Sequence, residues 1–109
     1  MAQKRIPKKI IRIIKEYTDK LKGEKKLPIE KVIIFGSYAK GRVGKWSDID
    51  VCIISPQFKD ALGAIEFLLK QRERKEVIAG LEPVGFTGND FKKGGSFIEE
   101  IKKTGVEVK

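Results

Sequence analysis

Apolar residues recur at helical spacing from the start of the chain. Ile6, Ile10, Ile13, Ile14, Tyr17 and Leu21 fall on one face of a 3.6-residue repeat, which predicts a helix from Pro7 to Leu21. Pro7 suits its first turn, and Gly23 should end it. After the polar connection EKKLPIE, the short β-branched run KVIIFGS reads as a buried strand ending at Gly36. DIDVCIIS reads as a second strand, closed by Pro56. Alternation sets Ile49, Val51 and Ile53 on one of its faces and Asp48, Asp50 and Cys52 on the other.

Ser37 is placed to cap a short helix, which Gly41 and Gly44 interrupt, implying a loop before Ser47. FKDALGAIEFLLKQRERK carries apolar residues at Phe58, Leu62, Ile65, Leu68 and Leu69, a helical stripe with a solvated basic end. EVIAGLEPVGFT is expected as a third strand broken by Pro83, SFIEEIKKTG as a helix capped by Ser96, and VEVK as a last strand. The alternation of helices and strands predicts an α/β (α+β) fold, a small mixed sheet flanked by helices. The length of 109 residues is that of one domain, 1–109.

The longest uncharged apolar runs fall far below the ~20 residues of a membrane-spanning helix, and the basic N-terminus lacks the apolar block of a signal peptide. A cytoplasmic protein without membrane contact is expected. A single cysteine, Cys52, excludes an internal disulfide, and the absence of histidine argues against zinc, so any metal must be held by oxygen. The net charge of +9 fits an anionic partner, or equally the charge-laced surface common in thermophile proteins.

Candidate chemistry is concentrated in GSYAKGRVGKWSDID, Gly36 to Asp50. Asp48 and Asp50 leave the same face of a strand, and two carboxylates about 5 Å apart at an effective dielectric near 20 repel by about 3 kcal/mol. A cation between them removes that cost. Mg²⁺ suits best, because it is commonly held by one or two carboxylates together with substrate phosphates. Gly36 lets a phosphate approach the backbone, Ser37 and the following amides offer donors to it, and Lys40, Arg42 and Lys45 can neutralise its charge.

Gly36-Ser37, the ten residues Tyr38 to Ser47, and then Asp48-Ile49-Asp50 resemble the GSx10DxD motif of the minimal nucleotidyltransferases, a branch of the polymerase-beta-like superfamily. Four fixed identities at that spacing arise by chance on the order of once in a thousand chains of this length. The resemblance implies that family's small mixed sheet and the Mg²⁺-dependent transfer of a nucleoside monophosphate, AMP from ATP, to an acceptor hydroxyl. It also implies that Asp48 and Asp50 bind metal and that a third acid completes the site. Glu82 in GLEPVG is the best match for that acid and Glu76 the fallback. The family's prokaryotic members are commonly encoded beside a HEPN ribonuclease. There the pair forms a toxin-antitoxin system in which a tyrosine of the HEPN protein is adenylylated.

Two other readings stand beside this one: an antitoxin that neutralises its partner by binding alone, and a basic nucleic-acid-binding domain whose affinity would fall steeply with salt. Exposed strand edges also leave room for a homo- or hetero-oligomer. Trp46 and Tyr38 are expected to pack, with base stacking the alternative for Trp46, and Cys52 is expected as inert core. Ser37 is not expected as a nucleophile, because no histidine is present to act as its base.

Overall fold

In α1 (Lys8–Gly23), Ile10, Ile14, Tyr17 and Leu21 are buried at intervals of three and four, so the isoleucine stripe faces the core as expected. Each such side chain contributes about 1.5–3 kcal/mol on burial. The Tyr17 hydroxyl donates to the Leu68 carbonyl at 2.5 Å, and burial raises its pKa well above the ordinary tyrosine value. The computed structural model describes residues 6–108. Lys109, the last residue of the expected VEVK strand, lies outside them.

Four strands form one mixed sheet in the order β3-β2-β1-β4: β1 (Lys31–Phe35), β2 (Ile49–Ile54), β3 (Leu81–Phe86) and β4 (Val106–Glu107). β1 pairs antiparallel with β2 and with β4, and β2 pairs parallel with β3. Both faces are covered, which is why β2 is buried at five of its six positions. Val32, Ile34, Ile49, Val51 and Ile53 join the core made with α1 and α3 (Ala61–Lys70), while Ile33, Cys52 and Ile54 pack on Ile101 of α6 (Ser96–Thr104). The expected small mixed sheet flanked by helices is what the chain forms.

Several boundaries differ from expectation. The helix expected over 58–75 is α3, with its last two residues opening a separate helix, and α3 is started by the Asp60 carboxylate, which accepts from the Gly63 amide at 2.7 Å. Of the expected stripe, Phe58 and Leu68 are buried as expected, Leu62 is exposed, and Ala64, outside the stripe, is buried as well. The first part of the expected third strand is a helix, α4 (Arg74–Ala79), because Glu73 and Glu76 make a reciprocal capping box and Gly80 ends the helix at φ 82°. β3 passes through Pro83 unbroken. It is an edge strand, whose outer side carries no ladder for a proline to break.

A further helix, α5 (Gly88–Lys93), is started by the Thr87 hydroxyl, which accepts from the Asp90 amide. Neither Ser37 nor Ser96 caps its helix by side chain. The caps are Gly36, for α2 (Ser37–Lys40), and Gly95, and each serine is the first helical residue.

Candidate functional site

The acids of the sequence motif meet at one end of the sheet. Asp50 stands opposite Phe35, the last residue of β1, and opposite Glu82, the second residue of β3, so Asp50 and Glu82 share a face. Asp48 lies one residue ahead of β2 and two before Asp50, exposed where Asp50 is half-buried. Further along the same face, Cys52 is closed off in the core with its thiol pushed up to about 12 by burial.

Two glycines make room for the carboxylates. Gly36, between β1 and α2, has φ 74° and ψ −148°, a conformation essentially reserved for glycine, and a Cβ there would overlap the Asp50 Oδ2 oxygen. Gly80, at φ 82°, leaves a prospective Cβ 3.2 Å from Asp48 Oδ1, and its carbonyl accepts from the Ile49 amide at 2.7 Å. Sequence reasoning singled out Gly36 and missed Gly80. The available signal was a glycine just past an apolar helical stretch, the usual C-cap.

Burial raises the Asp50 pKa above the ordinary carboxylate value, and the charges of Asp48 and then Glu82 raise it further. Glu82 is drawn aside: its Oε2 lies 3.3 Å from Arg72 Nη1, which also donates to the Leu81 carbonyl at 3.0 Å. Among the described residues, no three acids or thiols are gathered into a ready-made metal cage. Asp48 and Asp50 nevertheless fit a divalent cation that completes its shell from substrate, since Asp50 pressed against Gly36 is destabilised by neighbouring negative charge that a cation would offset.

Glu76, the fallback third acid, is buried elsewhere. Its Oε1 accepts from the Glu73 amide at 2.6 Å and lies 3.3 Å from Lys20 Nζ, a structural role.

Above the acids, the α2 turn places Ser37 at its start, where the first amides have no partner within a helix. Lys40 pairs with Glu100 of α6 at 3.2 Å, Arg42 is exposed in the loop that follows, and Trp46, expected to pack, is exposed there too because no core element reaches this loop. Lys45 Nζ lies 5.3 Å from the centre of the Trp46 ring, and Tyr38 packs against the main core. A cleft of about 800 Å³ lined by Lys31, Ile54, Phe91 and Lys102 lies at the opposite end of the strands and includes none of these acids.

The chain belongs to the nucleotidyltransferase domain family, whose profile matches residues 7–108. It is 33% identical over 104 residues to a Methanocaldococcus jannaschii protein provisionally named a protein adenylyltransferase, covering 91% of this chain and 98% of that one. A second protein of that organism with the same provisional name is 46% identical over 41 residues, 38% of this chain and 41% of the other.

Two solved structures share the fold. A provisionally assigned nucleotidyltransferase from Sulfolobus solfataricus superposes with a TM-score of 0.64 at 16% identity, over 91% of this chain and 78% of that one. A toxin-antitoxin structure with AMP-PNP gives 0.58 at 18% identity, over 86% of this chain and 71% of that one.

Proposed function

We propose that the protein transfers AMP from ATP to a protein hydroxyl, a tyrosine of a HEPN toxin encoded alongside, and so acts as an antitoxin. The observation that carries this reading is Asp50, half-buried against Gly36, with Glu82 beside it on the same face and the charge of Asp48 near enough to raise its pKa. The provisional name of the relative that spans nearly the whole chain supports a protein acceptor, and the fold shared with a toxin-antitoxin structure supports the biological setting.

Asp48 and Asp50 would hold Mg²⁺, which when bound polarises the α-phosphate and offsets charge on the departing pyrophosphate. Gly36 keeps the backbone bare where phosphate oxygens pass, and Ser37 with the first amides of α2 donates hydrogen bonds to them. Arg42, and Lys40 on exchanging Glu100 for phosphate, neutralise the triphosphate.

In the transfer itself, the acceptor oxygen bonds to the α-phosphorus. The bond from that phosphorus to the α,β-bridging oxygen breaks, and pyrophosphate leaves with the electron pair. Glu82 takes the hydroxyl proton after leaving Arg72. That ion pair is half-exposed on the Glu82 side, so parting it costs on the order of 1 kcal/mol or less.

The test is incubation with labelled ATP, Mg²⁺ and the protein encoded alongside. Transfer that disappears in Asp50→Asn is expected. Equal neutralisation of the neighbour by wild type and variant, without transfer, would overturn the reading in favour of binding alone.

A further inference from the structure

Among the described residues, six large apolar side chains stand exposed: Val43, Trp46, Leu62, Val77, Ile78 and Phe97. Val43, Trp46, Val77 and Ile78 lie on the two segments that flank the acids, the loop before Asp48 and the helix before Gly80, whereas Leu62 and Phe97 lie outside them. Trp46, 86% exposed, stands two residues before Asp48, with Val43 in the same loop. Ile78, 73% exposed, follows Val77 and stands two residues before Gly80, whose backbone lies against Asp48. Phe97 packs between Phe35, the register partner of Asp50, at 5.5 Å and Phe86, the register partner of Ile54, at 6.2 Å between ring centres, so it spans the sheet face and is not part of this group.

Exposed apolar side chains scattered singly need no explanation, whereas a group confined to the rim of one charged site marks a contact surface. Beyond Arg42, which the transfer reading gives to the triphosphate, the loop Gly41–Ser47 that carries Trp46 adds the cation Lys45 and no acid.

We infer that this rim docks the acceptor: a protein surface with an apolar centre edged by aspartate or glutamate, presenting its hydroxyl over Asp50. The inference rests on the transfer reading above and specifies how that reaction reaches its substrate. A nucleic-acid strand would call for cations along a track with stacked aromatics, whereas here three of the four rim residues are aliphatic. An exposed tryptophan beside aliphatic neighbours is instead the composition of an interface centre.

Trp46 is the chain's single tryptophan, so fluorotryptophan incorporation gives one fluorine NMR signal that reports the rim directly. Addition of the protein encoded alongside is expected to shift or broaden that signal. The double variant Trp46→Ser, Ile78→Ser is expected to raise the KM for that acceptor about tenfold, leaving kcat and the KM for ATP within about twofold.

Label transfer with an unmoved fluorine signal would overturn the docking inference and leave the transfer reading standing. A signal that moves without transfer would do the reverse. Movement caused by Mg-ATP alone or by single-stranded RNA, with none on adding the acceptor, would overturn the inference in favour of base stacking, as would an unmoved signal and no transfer together in favour of neither role.

Discussion

The Asp50 Oδ2 oxygen occupies the space that a side chain on Gly36 would need. Neither residue has this environment alone. Phe35 and Asp50 face each other across the ladder, so the chain leaves β1 directly beside the carboxylate. The turn at φ 74° and ψ −148° then lays bare backbone against it. The same closeness shields Asp50 from water, and that burial is the largest cause of its raised pKa.

Gly36→Ala should therefore damage stability and chemistry together. Alanine in this backbone conformation costs about 1–3 kcal/mol, and its methyl must also displace the Asp50 carboxylate. Urea denaturation is expected to show a loss in that range, and label transfer to fall to background. A variant with wild-type midpoint and wild-type transfer would refute the assignment of Gly36.

Asp50 predicts a reversed pH response. Its pKa is raised in the fold, so the native carboxyl holds its proton more tightly than the unfolded one. Ionised Asp50 thus destabilises the metal-free protein, and this cost grows as pH rises from the ordinary 3.8 through the raised native value. Below 3.8 the cost is absent. Asp50→Asn is expected to raise the Tm of metal-free protein at neutral pH, with the gain shrinking toward acid. Mg-ATP should raise the Tm of wild type and leave the variant unmoved. A variant less stable than wild type at neutral pH without metal would contradict this.

The parts of the fold legible in the sequence are those where local pattern and burial agree. The isoleucines of α1 and the β-branched runs of β1 and β2 each have one structure that buries them. Val77 and Ile78 mislead because they are β-branched yet exposed, and the Glu73–Glu76 capping box with Gly80 outweighs their strand propensity. Pro83 misleads because its tolerance depends on β3 lying at the edge, a fact of sheet order.

At the site, Gly36, Ser37, Asp48 and Asp50 lie within fifteen residues and were visible as a spacing. The Arg72–Glu82 pair and the approach of Gly80 to Asp48 depend on how α3, α4 and β3 pack, which no local pattern records.

Cys52 lies on the acid-bearing face but is fully buried, with its thiol pushed up to about 12. Thiolate is the reactive form, so an aromatic disulfide reagent at pH near 8 should leave the native protein untouched and label it fully in denaturant. Rapid labelling of native protein would place Cys52 in an open site.

The two candidate third acids should fail in opposite ways. Glu82 is half-exposed and bound to one cation, so Glu82→Gln should change stability by about 1 kcal/mol or less. As the proton acceptor it should lower kcat by on the order of a hundredfold or more. Glu76 is 1% exposed, caps α4 and pairs with Lys20, so Glu76→Gln should cost on the order of 2 kcal/mol from lost charge-assisted bonds. Transfer per folded molecule should stay close to wild type, because Glu76 is tied to Lys20 and its own helix start instead of to the acid face. Chemical denaturation paired with active-fraction-corrected kinetics separates the two variants, and a Glu76→Gln protein that folds normally yet no longer transfers label would exchange their roles.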